Sequence, residues 1–490
     1  MNIFDYFTIY GTRVSIVRTT LILILLLILS SFDLASAQRI TYESLRMRPD
    51  IPNAFVDYHI VPATGQHGYV LVTTFRMGYD YMEFRRSQQG GFSAEPHVRM
   101  NIFKEGTSPS ERLSGEPFIR EVWNQTITVE EYEKTGSRNH YVQSLIERTI
   151  EPGKYHLTTE LSPRSGSPSS PPSQSRQRRS PRSAAERPSP SLSSMVTIPE
   201  PGDTSKAFFY LLEHSEDVSS ARSIPLLNFG RNTLFGEDHS ALIWIPEKKE
   251  GHTYVLEIDQ LRIRRGDTTH VRQVFSDTLD HEKMLSGYRH RITENKNKVM
   301  LQLDSSESTT GRYYLVSIPN SRFENAHFKM RLKHSPPESA AITLAEKVYF
   351  NLWLNMPVSL LNLDIAVEMM EFIMDSDAHR TMRRASSSDK EQKFRAFWKE
   401  RDPDPETEYN PLMVEYFRRI DEAYDRFTTP QVRGFESDQG KVFLRNGEPD
   451  RKERVLPPGQ PAREIWHYGS RRFVFEATTG FGDYRLVEQR

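Results

Sequence analysis

The chain has 490 residues, of which 37% are hydrophobic and 26% charged, with a formal net charge of −1 and no cysteine. The balanced charge argues against a nucleic-acid binder or an acidic solvating protein. Without cysteine there are no disulfide staples, no thiol catalysis and no cysteine-ligated zinc or iron–sulfur sites, so packed cores in about two to four domains must supply the stability.

Residues 1–37 read as an export signal. Arg13 and Arg18 give a basic start, Leu21 to Leu29 is an unbroken apolar run, and Ala35-Ser36-Ala37 is a small-residue cleavage signature. The run is about half of the roughly 20 apolar residues of a spanning helix. An uncleaved inner-membrane anchor is the alternative. No cysteine follows to carry a lipid. The expected location is outside the cytoplasm, in the periplasm or at the extracellular cell surface.

Residues 38–161 predict a β-module. Tyr69 to Phe75 is rich in β-branched and aromatic side chains, Gly90-Gly91 and Pro152-Gly153 mark turns, and Lys154 to Leu161 alternates as a closing strand. Residues 162–195 are dominated by Ser, Pro and Arg and predict a disordered linker, because they bury too little to offset the entropy of ordering. The linker's charge is one-sided: Arg164, Arg176, Arg178, Arg179, Arg182 and Arg187 face only Glu186. It serves as an extended spacer, or alternatively as a contact for an anionic surface.

Residues 196–335 predict a second module, with strands at Ala207–Leu212, Ala241–Ile245, Tyr254–Leu261, Val299–Leu303, Tyr313–Ile318 and Phe328–Leu332. Two echoes join the modules. His67 to Leu71 matches His252 to Leu256, and Gly153 to Leu157 matches Gly311 to Leu315. They suggest two copies of one antiparallel, Ig-like β-sandwich, with His67 and His252 starting strands rather than binding metal.

Residues 340–490 predict helices on a small antiparallel sheet, making the whole an α+β multidomain protein. Thr343 to Trp353 is read as a helix ended by Met356-Pro357. Asn362 caps a second helix with the stripe Leu363, Ala366, Val367, Met370 and Ile373. A third runs from about Lys390 to Lys399, and Arg401 to Pro405 is an extended, non-helical crossing. Asn410-Pro411 starts a helix carrying Met413, Phe417, Ile420, Tyr424 and Phe427 on one face. Strands are expected at Lys441–Arg445 before the turn Asn446-Gly447, then at Glu464–Tyr468, Arg472–Ala477 and Tyr484–Val487.

Several ordered segments here carry a family likeness. They are Phe397-Trp398-Lys399-Glu400-Arg401-Asp402-Pro403, Gly434-Phe435-Glu436-Ser437-Asp438, Gly440 to Leu444, Gly447 to Asp450, Glu464 to Tyr468, and Phe473 to Phe475 with Gly480 to Leu486. Residues 340–487 thereby resemble the GWxTD-domain family of exported bacterial proteins. Phe435 stands for the motif's tryptophan and Ser437 for its threonine, each keeping the chemical kind. The resemblance implies an export signal and β-rich modules ahead of the domain; it implies no activity.

Signals for chemistry are sparse. There is no phosphate-cradling glycine loop and no Gly-x-Ser-x-Gly elbow, and His281-Glu282 lacks the second histidine of a zinc-protease helix. No cofactor, metal or catalytic residue is expected. Asp402, Asp404, Asp438, Asp450, Glu464 and Asp483 read as turn and ion-pair groups, Arg401 with Asp402 among them, with acid–base work or calcium binding as the alternative. Phe397, Trp398, Phe435, Trp466, Tyr468, Phe473, Phe475 and Phe481 read as core, or alternatively as an exposed platform for sugar or peptide. A binding site in the family-like segment would draw on Trp398, Arg401, Asp402, Phe435, Asp438 and Trp466.

The expected function is non-enzymatic: an envelope protein holding a protein or glycan partner, with no nucleic acid. The alternatives are an exported hydrolase, which needs Asp402, Asp438, Asp450 and Asp483 in one cleft, and a surface glycan binder, which needs Trp398 or Trp466 exposed.

Overall fold

The computed structural model describes residues 40–490 apart from 48–52, 64–67, 109–111, 113–115, 165–190, 204, 215–222, 247–251, 265–266, 281–282, 307–310, 338, 457 and 479–482. The expected export signal, His67 and most of the expected linker lie outside the described residues. Among the described residues no helix is long and apolar enough to cross a membrane. The protein is strand-rich, with several small antiparallel sheets and a helical C-terminal segment. It divides into two compact units. Among the described residues, one comprises 53–355 with 404–410; the other comprises 40–47 with 356–403 and 411–490.

The first unit begins with β1 (Ala54–Pro62), β2 (Tyr69–Gly78), β3 (His97–Lys104), β4 (Ile119–Asn124), β5 (Tyr141–Ile150), β6 (Gly153–Ser162) and β7 (Ser191–Ile198). They form two sheets, ordered β1-β2-β5 and β7-β6-β3-β4. Next come β8 (Phe208–Glu213), β9 (His239–Ile245), β10 (Thr253–Arg264), β11 (Asp267–Thr278), β12 (Tyr288–Asn295), β13 (Lys298–Ser305), β14 (Arg312–Ile318), β15 (His327–Ser335) and β16 (Ile342–Leu352). One sheet runs β8-β9-β14 and ends in Met284–Leu285. A second runs from Asn232–Leu234 through β16-β15-β10-β11, and a third joins Ser223–Pro225 to β13 and β12.

The β8-β9-β14 sheet is buried on both faces. Every residue of β9 is buried. Its Ala241, Ile243 and Ile245 join Phe209, Leu211, Tyr314, Val316 and Ile318 in one core, shared with Leu256, Ile258, Phe328 and Met330. Its Leu242 and Trp244 join Tyr210, Leu212 and Tyr313 in a second core, shared with Val61, Leu71, Val72, Met100, Ile102, Leu157 and Ile198. Both strand faces being apolar explains the unbroken hydrophobic runs of β8 and β9.

This corrects the picture of two independent sandwiches on a linker, since the two expected modules share the second core. The linker is also shorter than expected. Ser191 to Ile198 pairs along β6, from Ser191 opposite Glu160 to Ile198 opposite Gly153. Leu192 and Val196 pack against cores on this strand, so the intervening segment joins two neighbouring strands. The echoed segments fall on β2 and β10 and on β6 and β14, all interior strands, in two different sheets within each half. His252 stacks on His334, with ring centroids 4.7 Å apart.

Thr343 to Trp353 is a strand, not a helix. Its apolar residues Leu344, Val348, Phe350 and Leu352 fall at even spacing, the period of a strand, and β16 pairs with β15 from His327 opposite Phe350 to His334 opposite Ile342.

In the second unit, α1 (Tyr42–Arg46) is followed by α2 (Leu363–Met369), α3 (Ser376–Arg384), α4 (Ser387–Lys399), α5 (Pro411–Phe427) and α6 (Asp438–Asn446), then β17 (Arg451–Val455), β18 (Arg463–Tyr468), β19 (Arg471–Ala477) and β20 (Tyr484–Gln489). The strands form one antiparallel sheet in chain order. The Asn362 side chain caps α2, as expected, by accepting from the Asp364 and Ile365 N–H groups. Arg401 to Pro405 is a turn rather than extended chain, with the Asp402 N–H bonded to the Lys399 carbonyl. Lys441 to Arg445 is helical, not a strand: Ser437 caps α6, and Gly447 ends it at φ 76°.

Three buried histidines tie the first unit to pH. Burial pushes His59 down to about 4 and His239 and His290 down to about 3, with Asp238 countering it at His239. Both ring nitrogens of His239 and Nε2 of His290 lack a hydrogen-bond partner among the described residues. Each folded pKa lies below the unfolded value, so below about pH 6.5 the unfolded chain binds more protons. Stability is full above that pH and declines as the pH falls toward 4. The urea midpoint should therefore drop steadily between about pH 7 and about pH 4.5, and His290→Gln should flatten that slope.

Candidate functional site

A cavity of about 700 Å³ opens in the strand-rich unit, lined by Asp57 to Ile60 of β1, Ser194 to Thr197 of β7, Lys206 to Tyr210 at the start of β8, and Thr343 to Val348 of β16. Successive side chains of a strand point to opposite faces. A wall made of consecutive residues is therefore a strand edge, not a sheet face. β1, β7 and β8 are each the outermost strand of their sheet, and the short strand beside β16 covers only Phe350 to Leu352.

Charge inside the cleft is balanced in number, with Asp57, Asp203 and Glu346 against Lys206, Arg231 and Lys347. Lys347 Nζ donates to Asp57 Oδ2 at 2.8 Å, and Asp57 is only 5% exposed. Burial alone would raise the Asp57 carboxyl, but Lys347 and the Tyr58 N–H outweigh it and hold the group below the usual carboxylate range. Neutral His59 lies two residues along the same strand and shares a hydrogen bond with Thr74 Oγ1 at 3.2 Å. The Tyr210 hydroxyl donates to the Ile60 carbonyl, and Arg231 donates to Ser194 Oγ. The arrangement can present backbone and anchored polar groups to a ligand. Sequence reasoning did not single out these residues. The available signal was a charged residue and a histidine at alternate positions of an otherwise apolar strand, Ala54-Phe55-Val56-Asp57-Tyr58-His59-Ile60-Val61. Lys347→Met leaves a buried uncompensated carboxylate and should cost about 3–5 kcal/mol in urea denaturation, whereas pairing it with Asp57→Asn should restore much of the loss.

A second cavity of about 680 Å³ lies in the other unit against α3, lined by Glu371, Ser376, His379, Arg380, Arg383 and Arg384. His379 is buried and bonds through Nε2 to the Val367 carbonyl. Among the described residues no group of three histidine, aspartate or glutamate side chains could hold a metal ion.

The predicted site residues belong to the packing of the helix-and-sheet unit. Trp398, Phe435 and Trp466 are buried in one core with Tyr42, Phe417, Phe443 and Phe475. The glycan-binding alternative, which required Trp398 or Trp466 at the surface, loses its basis. Arg401 lies over the Phe397 ring at 3.9 Å, donates to the Phe397 carbonyl and pairs with Glu400. The carboxylates answer local needs: Asp438 accepts the Leu486 N–H at 2.9 Å, and Asp450 accepts the Gly469 N–H at 2.6 Å. Glu464 accepts the Trp466 indole N–H.

Gly434 to Asp438 makes a helix-to-helix junction. A Cβ on Gly434 would meet the Ala423 carbonyl oxygen at 1.9 Å, and one on Gly440 would meet the Gly434 oxygen at the same distance. Glycine is thus required by close approach. Phe435 plugs the core edge-on to Tyr42, 5.3 Å between centroids. The Ser437 hydroxyl accepts the Gly440 N–H at 3.0 Å and donates to the Gly434 carbonyl at 2.7 Å. Asp438 ties the start of α6 to β20.

Residues 359–487 match the family model of the GWxTD domain. No curated protein matches the chain. The GWxTD motif is here a packing device: glycine for clearance, an aromatic plug, a hydroxyl cap and a carboxylate tether. The matched GWxTD residues are completed in this unit by α1, outside the match. Tyr42 and Leu45 join the domain's core, and the Tyr42 hydroxyl donates to Asp421 Oδ1 at 2.8 Å. Burial, then the neighbouring Asp421, raises the Tyr42 pKa, so the hydroxyl stays a donor. Gly434→Ala should destabilise the GWxTD unit by at least about 1–3 kcal/mol. Ser437→Ala should cost about 1 kcal/mol, and Ser437→Thr should keep the cap. Urea titration of the full chain, followed by tryptophan fluorescence, reads each shift.

Proposed function

We propose that this chain is an exported cell-envelope protein that acts by binding a partner, without transforming it, and that the edge-lined cleft is the contact site. One observation carries this reading: consecutive edge residues of four strands face one cavity whose acidic and basic residues balance in number and whose buried carboxylate, Asp57, is already paired with Lys347. Such a surface offers complementarity, and its buried carboxylate is engaged by Lys347 rather than held free as an acid or base. The carboxylates Asp438 and Asp450 of the GWxTD domain, considered for hydrolysis, are each bonded to a separate backbone donor. The proposal of export rests on the basic, apolar and small-residue pattern of residues 1–37.

The test is made in cells. Fractionation should place the chain outside the cytoplasm, and a photo-crosslinker at Met195, which is 54% exposed at the cleft, should yield a discrete adduct with an envelope component. A chain found in the cytoplasm, or leaderless protein that releases products from an envelope polymer and stops after Asp438→Asn or Asp450→Asn, overturns the proposal.

A further inference from the structure

The geometry points to strand addition: an uncharged, extended polypeptide segment of a partner protein pairs with the outer edge of β16 at Glu346 and Val348. This rests on the cleft being the contact site and names what fills it.

Along a strand, successive residues send their N–H and C=O groups to alternate sides. The Phe350 N–H points away from β15, to the Arg231 carbonyl at 3.2 Å. The register between β15 and β16 is unbroken from Phe350 back to Ala345. Val348 and Glu346 therefore point the same way as Phe350, into the cleft, beyond the end of the Asn232–Leu234 strand. Among the described residues nothing pairs with their backbone groups. Across the cleft, the Ala207 N–H reaches the Leu344 carbonyl and the Leu211 carbonyl accepts from Leu227. Phe209, midway between them, presents its backbone to the same space.

The neighbouring edge of β1 is closed by side chains of β1 and β8. The Tyr58 N–H is taken by Asp57 Oδ1 at 2.9 Å, and the Ile60 carbonyl is taken by Tyr210. Pro62 has no N–H to give. An edge left open beside one that is blocked marks the place for an added strand, because unpaired edge groups template pairing with another chain.

The side chains beside the open edge define the occupant. Lys347 is neutralised by Asp57, and Glu346 by Lys329 at 3.1 Å. The rest of the lining adds Asp203, Lys206 and Arg231, so the cavity holds three acidic and three basic residues and favours no net charge in a partner. Ile342 and Val348 are 52% and 40% exposed, and Met195 borders the same cavity. The matching segment is uncharged, with apolar side chains at alternate positions.

The probe is a fluorescein-labelled peptide of about ten residues with alternating valine and threonine, titrated into the full chain by anisotropy and mapped by hydrogen exchange. Binding should protect residues 345–349. Val348→Pro removes an outward donor while leaving the β15 ladder intact and should weaken binding about tenfold or more, whereas Val348→Thr should not. A peptide with alternate amides N-methylated should fail against the unaltered protein, an arm that needs no variant to fold. Equal binding by Val348→Pro, protection elsewhere, or the same protection on self-association without peptide overturns strand addition. A Met195 adduct in cells that survives Val348→Pro means that the cleft binds by another chemistry; absence of any adduct from the unaltered chain removes the cleft reading itself.

Discussion

A sheet with water on neither face governs the strand-rich unit. Residues of β9 alternate between two cores, so each substitution on one side is transmitted by a shared backbone to the other. Trp244 shows how little space remains: a Cβ on Gly311 would sit 2.1 Å from its indole nitrogen. Burial of both faces is what turns two strand-rich halves into one body, since neither half has a solvated surface to offer at that boundary. Polar seams fix the register of the join. Asn228 donates to the Phe75 carbonyl and to Gln143, and the Arg76 guanidinium is held between the rings of Tyr141 and Phe229, at 3.4 and 4.4 Å.

The cleft follows from that arrangement. Closing a sandwich covers faces, not edges, and the outermost strands of several sheets here end beside one another. The chain has answered most of the resulting edge liability with side chains: Asp57 on the Tyr58 amide, Tyr210 on the Ile60 carbonyl, Lys347 on Asp57. What stays open on β16 is short, bounded by the Ala207–Leu344 hydrogen bond at one end and the Asn232–Leu234 strand at the other.

The GWxTD domain is governed by a different constraint, backbone clearance. Gly434 and Gly440 let α5, the Gly434–Glu436 turn and α6 approach within contact of bare backbone. The aromatic and hydroxyl positions then fill and cap what the glycines bring together. Replacing tryptophan by phenylalanine and threonine by serine keeps both roles, which explains why the motif tolerates them. The same core takes in Tyr42 and Leu45 from the other end of the described chain, a partnership that spans hundreds of positions and leaves no periodic trace.

Local chemistry settled much of this protein. Strand runs such as Ala241–Ile245, the Asn362 cap, the Asn410-Pro411 start of α5 and the order of the family-like segments could all be read directly, because each depends on neighbours within a turn or a strand. Two segments went the other way. Thr343 to Trp353 carries helix-compatible residues, yet its even spacing found a partner strand in β15. Lys441 to Arg445 has strand-like residues, yet the Ser437 cap and Gly447 close it as a helix. α3 escaped notice because its surface is charged and only His379 and Met382 are buried. The joining of the two β halves, the docking of α1 and the cleft with its Asp57–Lys347 pair were set by long-range packing. They depend on residues far apart in the chain meeting in space, and neither spacing nor propensity encodes such meetings.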